Sequence, residues 1–142
     1  MSKDEQTGQA IMKERFGQDT LLSLATMDGG RPSVRIVNSY YDSGSFYTIT
    51  YALSGKMRQI ADNPVVAVCG EWFTGHGAGE NLGAVRDVKN KELLQTLKTV
   101  FAAWYNNGHI DETDPNTVIL RIRMTDGVLL SHGTRYDLTF AG

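Results

Sequence analysis

Three successive runs of strand-forming residues, joined by turns too short for a crossover, constrain this chain more than any other feature of its sequence. The first run is Thr20-Leu21-Leu22-Ser23-Leu24-Ala25-Thr26-Met27, closed by Asp28-Gly29-Gly30. A second, residues 32–41, is rich in β-branched and aromatic side chains and is closed by Asp42-Ser43-Gly44. The third is Ser45-Phe46-Tyr47-Thr48-Ile49-Thr50-Tyr51. Gly-rich two- and three-residue connections of this kind turn the chain back on itself, so residues 20–51 are expected to form an antiparallel meander.

The flanking segments fill in around the meander. The first sixteen residues read as a short helix with Ile11, Met12 and Phe16 on its apolar face. Ser54 is placed to cap a second short helix, in which Met57, Ile60 and Ala61 share a face and Asn63-Pro64 is the stop. Residues 65–72 read as a fourth strand, apolar on both faces and therefore interior, with Cys69 as a buried thiol. Glycines 75, 77, 79 and 83 make the next stretch ambiguous; it is read as a fifth strand with bends or bulges over about residues 73–85. Leu93, Leu94, Leu97, Val100, Phe101 and Trp104 then form one wide helical stripe, ended by Asn106-Asn107-Gly108. After an acidic loop at 111–115, strand signals return at 117–124, a turn is expected at Asp126-Gly127, residues 128–131 follow, and a short tail ends the chain. Six or seven antiparallel strands with few long connections close most simply into a small barrel, giving an α+β, mainly β class and a single domain over residues 1–142.

Composition narrows the function. With 142 residues, 41% hydrophobic and 21% charged, the chain can build one ordinary globular core, and a net charge of −2 supplies no basic field for nucleic acid. A single cysteine can form neither a disulfide framework nor a thiolate metal site. His76, His109 and His132 lack ligand spacing, so no metal is expected. The amino-terminal segment has no apolar signal-peptide core and no run reaches spanning length, so the expected setting is cytoplasmic, with no membrane partner.

Chemistry concentrates around Arg35 and the segment Thr50-Tyr51-Ala52-Leu53-Ser54-Gly55-Lys56. Arg35 alternates with Ser33 and Val37 on one face of its strand, while Val34 and Ile36 take the other. A strand apolar on both sides is read as buried, and a buried guanidinium needs an anion that the neighbouring segments do not supply. Ser54 and the first free amides of the helix converge on the helix's positive end, where Lys56 opposes the dipole unless an anion is present. Guanidinium fork, ammonium, hydroxyl and helix end together read as a phosphate clamp. The Walker-like Ser54-Gly55-Lys56-Met57 lacks the upstream glycine and the metal-holding hydroxyl, and Gly75-His76-Gly77-Ala78-Gly79 has the wrong spacing for a dinucleotide loop.

The joint spacing of Leu24-Ala25-Thr26, Asp28-Gly29, Pro32, Arg35, Thr50, Ser54, Lys56, Gln59-Ile60 and Asn63-Pro64 resembles the pyridoxamine 5'-phosphate oxidase-like flavoproteins, closely over residues 20–72 and loosely beyond. That resemblance implies a six-stranded antiparallel split β-barrel with flanking helices, forming a homodimer with FMN at the subunit interface. It assigns Arg35, Lys56 and Ser54 to the FMN phosphate, backbone groups of Ile36 and Val37 and the side of Ile49 and Thr50 to the isoalloxazine, and Trp72 to the dimer seam beside the cofactor. Trp104 is assigned to core packing rather than to the ring.

Departures from the family are equally informative. Tyr40 stands about where the oxidases proper carry a lysine, and Ser131-His132-Gly133-Thr134-Arg135 does not reproduce their terminal arginine–histidine motif. The chain therefore resembles the short general-stress-type flavoproteins more than a vitamin B6 enzyme. The expected function is an FMN-dependent oxidoreductase acting on an undefined small molecule or electron donor, with no catalytic side chain identifiable. The alternatives are a non-catalytic FMN store or sensor and, ranked lower, a haem or deazaflavin binder.

Overall fold

The computed structural model describes residues 2–140. Its elements run α1 (Lys3–Phe16), β1 (Thr20–Asp28), β2 (Arg31–Asp42), β3 (Ser45–Tyr51), α2 (Gly55–Asp62), β4 (Val65–Gly70), β5 (Phe73–Ala84), a single 3-10 turn (Val88–Asn90), α3 (Lys91–Val100), β6 (Thr117–Ser131) and β7 (Thr134–Thr139). All pairings are antiparallel. The sheet order β3-β2-β1-β4-β5-β6-β7, with β3 also pairing with β6, closes six strands into a barrel and leaves β7 as an extra strand. The meander forms as expected, and Gly29, at φ 63°, makes the first turn.

Alternation decides what fills the barrel. Leu22 and Leu24 of β1, Phe46 of β3, Phe73 of β5 and Leu120, Ile122, Met124 and Leu129 of β6 point inward and are all but fully buried. Phe16 packs on Phe46 and Phe73 with ring centroids 5.7 and 5.6 Å away, so α1 plugs one end of the barrel. Met57 and Ile60 of α2 plug the other, while Ala61 is exposed rather than sharing their face. A second apolar layer lies outside the barrel, where Leu94, Leu97, Phe101 and Tyr105 pack with Val85 and Ile119 against Tyr47 and Ile49. Among the described residues no helix is long and apolar enough to cross a membrane.

Several expectations are corrected, each for a physical reason. β4 is not interior: Val66 and Val68 point into the barrel, whereas Val65 and Cys69 lie exposed on its outer face. The same holds for β2, where Val34 and Ile36 are 69% and 67% exposed, so the strand is buried on one face only. β4 ends at Gly70, and Trp72 sits in the following turn at φ 52°. The apolar stripe of α3 continues past Val100, but the chain there coils into i to i+3 turns, with the amide of Trp104 donating to the carbonyl of Phe101.

Asp126-Gly127 is not a turn; β6 runs straight through it, and a bulge against His76 and Gly77 absorbs Thr125. Gly127 is there for space: a Cβ on it would lie 2.6 Å from Cε1 of Phe73. The expected tail is β7, which takes the edge of β6 left free where β3 ends. Because Phe73 is fully buried and cannot swing away, Gly127→Ala should destabilise the fold by about 1–3 kcal/mol. Gly30→Ala, with nothing within 4 Å, is the matched control and should change stability by no more than about 0.5 kcal/mol. Urea denaturation of the two variants checks this.

Candidate functional site: a cationic cluster beside the split

β2 and β3 pair only from Tyr40↔Tyr47 to Asp42↔Ser45. Before Tyr40, β2 keeps β1 as its neighbour; after Tyr47, β3 keeps β6. Residues 31–39 and 48–51 therefore present open main-chain edges toward each other across a split in the barrel wall. Unpaired edges are rare in a closed barrel and mark a place where something other than a strand is accommodated.

Arg35 stands on the inward-facing side of this open stretch of β2. Its Nη1 donates to Thr26 Oγ1 at 2.7 Å and to the carbonyls of Leu24 and Ser33 at 3.3 Å each. Its Nη2 donates to Ser33 Oγ at 3.0 Å and to Gln59 Oε1 at 3.1 Å, and Thr26 Oγ1 donates to the same Gln59 oxygen at 2.5 Å. Every one of these acceptors is neutral. Ser54 occupies the N-cap position of α2, yet its hydroxyl caps no amide and instead accepts from Lys56 Nζ at 3.4 Å. Among the described residues no carboxylate lies within ion-pair distance of Arg35 or Lys56.

The electrostatics follow from that arrangement. Burial, and then the nearby Arg35 guanidinium, hold the Lys56 ammonium below the ordinary lysine range, while burial alone lowers Arg35. Two half-buried cations that disfavour one another, surrounded by hydroxyls and amide oxygens, form a site whose charge no carboxylate among the described residues compensates. Phosphate chemistry fits it: a dianion would reverse the sign of the Arg35–Lys56 repulsion and accept from the guanidinium, the ammonium and the hydroxyls.

The remaining expected site residues divide. Ile36 projects outward into the open, while Val37 projects inward against the main core and Thr50 is half-buried on the far edge of the split. Ile49 belongs to the outer layer under α3. Trp72 does not join the cluster. Arg35 lies level with Leu24 and Val68, and β4 runs from there toward the end closed by α1, where Arg15 donates to the carbonyl of Glu71 at 2.9 Å. Within one chain Trp72 is thus at the opposite end of the barrel from Lys56.

Thr26, Ser33 and Gln59 complete the cluster although the sequence reading gave them no role. The signal available was a threonine at an inward position of β1, in register with Leu22 and Leu24, and a glutamine one helical turn after Lys56. His76 pairs with Asp126 at 3.1 Å on the outer face of β5, and His132 sits in the β6–β7 turn, both apart from the split.

The lowered Lys56 has a stability consequence with a definite sign. Between its folded value and the ordinary lysine value of 10.5, the unfolded chain binds more protons than the folded one, so stability rises with pH in that window. Lys56→Met should therefore be more stable than the parent protein at neutral pH, with the gap closing as pH passes 10.5. Inorganic phosphate at neutral pH should raise the melting temperature of the parent and not of the variant. Thermal melts across pH, with and without phosphate, check both.

No curated protein matches the chain. Among solved structures, a protein related to general stress protein 26 of B. subtilis (pyridoxinephosphate oxidase family) from Clostridium acetobutylicum superposes with TM-score 0.64 at 16% identity, covering 98% of this chain and 96% of its own. General Stress Protein 26 from Bacillus anthracis gives TM-score 0.59 at 23% identity over 82% of this chain and 91% of its own. An FAD-binding protein from Mesorhizobium loti gives 0.63 at 17% over 83% and 90%. At these identities the likeness is one of fold. The family model described as pyridoxamine 5'-phosphate oxidase matches residues 9–130. That match takes in β1 to β6 together with α2 and the split, so the chain belongs to the pyridoxamine 5'-phosphate oxidase family.

Proposed function

We propose that this protein is an FMN-dependent oxidoreductase working as a homodimer, with the flavin phosphate held by Arg35, Lys56 and Ser54 and the isoalloxazine lying along the split. The observation that carries the reading is the pair of half-buried cations with only neutral partners, set beside open strand edges. Family membership and the FAD-binding structural neighbour support a flavin. The cluster favours FMN, because two cations and several hydroxyls match the charge and oxygen count of a terminal phosphate monoester.

In this assignment main-chain groups of Ile36 and Val37 on one edge, and Thr50 with Ile49 behind it on the other, face the ring. Bound FMN supplies reversible hydride or electron transfer. The chain's own part is to fix the phosphate, to orient the ring between two open edges and to keep water from one side of it. Arg35 is itself held by Thr26, Ser33 and Gln59, which keeps its fork aimed before any ligand arrives. Turnover of pyridoxamine phosphate is not part of the proposal, since Tyr40 stands where a lysine would be needed, and the 131–135 segment, although it holds His132 and Arg135, lacks the arginine–histidine motif and has Arg135 paired with Asp137.

Dimerisation is supported by the outer face of β2, β1 and β4. Leu21, Val34, Ile36 and Val65 are exposed there around the small side chains of Ser23, Ala25, Ala67 and Cys69, and a second copy is the partner proposed to cover them. Trp72, remote from the clamp in its own chain, can reach a cofactor only from that second copy. A binding protein without turnover is the second reading. It is favoured by one observation: among the described residues, neither histidine nor carboxylate is hydrogen-bonded within the cluster. Reduction by NAD(P)H no faster than that of free flavin would select it.

Two outcomes are expected. Arg35→Ala should weaken FMN by roughly one to two decades, the value of a charge-assisted contact of about 1.5–3 kcal/mol, while leaving riboflavin nearly unchanged. Equal losses for both ligands in a fluorescence titration would make Arg35 structural. Ile36→Asp should convert a dimer into a monomer in sedimentation and weaken FMN with it; a monomeric parent that binds FMN fully would remove the interface from the proposal.

A further inference from the structure

Asp19, in the short link between α1 and β1, accepts two hydrogen bonds from elements far apart in sequence. Its Oδ2 accepts from Trp104 Nε1 at 2.9 Å, and its Oδ1 accepts from Asn38 Nδ2 at 3.1 Å. Asn38 belongs to the open stretch of β2, adjacent to Val37 and two residues before Tyr40, where pairing with β3 begins. Trp104 belongs to the α3 layer, with its ring 4.8 Å from Phe101, and that layer is seated on Tyr47 and Ile49 of β3, next to Thr50. The layer on one lip of the split is therefore tied, through one carboxylate, to the other lip. β2 and β3 share no ladder bonds here, and the side-chain bridge links β2 to the layer that packs on β3, a layer that Tyr40 of β2 also joins.

We infer that Asp19 and Trp104 form a latch that sets the width of the split and so positions its two edges against the ring of the bound flavin. The inference rests on the flavin reading for its ligand, but the latch acts on the protein whether or not flavin is present. α3 ends at Val100, and residues 101–107 continue in turns that mix i+3 and i+4 bonds, from which the indole N–H of Trp104 reaches the Asp19 carboxylate. Asp19 and Trp104 are positioning residues. Neither is hydrogen-bonded to a residue of the phosphate cluster, so their effect should fall on the ring and not on the phosphate.

The test uses Asp19→Ala, Trp104→Phe, the double variant, and the milder Asp19→Asn, all on the full chain. In the flavin-free protein, hydrogen–deuterium exchange should quicken at the amides of 35–38 and 48–51 in each single variant, with β4 unchanged. Release of FMN and of riboflavin should quicken by the same factor, roughly two- to tenfold, the scale of one lost hydrogen bond. The double variant should be no faster than the more affected single, because either change opens the same latch. Unchanged exchange at both edges, factors that multiply in the double variant, or an effect on FMN alone would each overturn the inference. If the parent protein binds neither flavin, the flavin reading fails and the exchange at the two edges alone decides whether the latch exists.

Discussion

The placement of two positive charges among neutral partners is the constraint on which the rest of this structure turns. Arg35 and Lys56 lie on different elements, and among the described residues neither has a carboxylate partner. They are brought together because β1 and β2 pair in the register that sets Arg35 opposite Leu24 and Ser33 opposite Thr26, and because α2 closes the barrel with Gln59 turned toward the same spot. The aromatic core does the positioning indirectly. Phe16, Phe46 and Phe73 fill the interior so completely that the strands have little freedom to shift register. A rigid barrel can hold like charges close at a cost that a flexible loop would relax away.

The barrel is covered unevenly, and the unevenness follows one division of labour. On the β3–β6 side, α3 and the turns after it supply a second apolar layer. On the β2–β1–β4 side none of the described residues covers Leu21, Val34, Ile36 or Val65. Between these two regions lies the split, with a covered lip on β3 and a bare one on β2. On the proposed reading the bare side is completed by a second copy, so that cofactor binding and assembly depend on the same strand. Substitutions on the outer face of β2 and in the cluster would then have linked effects, although their side chains point in opposite directions.

Much of this was legible in the sequence, and the failures share a cause. The meander and both short helices follow from local signals: turn residues, alternation and a stop at Asn63-Pro64. What misled was apolar character read as burial. Val34, Ile36, Val65 and Cys69 look interior because they are apolar, yet they lie on the outer face of the barrel, which the proposed second copy would cover. Gly127 looked like a turn because a glycine demanded by the ring of Phe73 and one demanded by backbone conformation are identical in sequence. The bond between Trp104 and Asp19 spans 85 residues and has no local signature at all. Nor could the open edges of β2 and β3 be read, since they are defined by pairs that do not form.

The most direct measurement is a comparison of FMN and riboflavin binding to the unaltered protein by fluorescence titration, repeated at rising salt. Two charge-assisted contacts to a phosphate predict that FMN binds tighter by about two to four decades, with the gap narrowing as salt screens the cluster. Equal affinity for the two ligands, unaffected by salt, would contradict the account, because the uncompensated cations would then have no part in recognition.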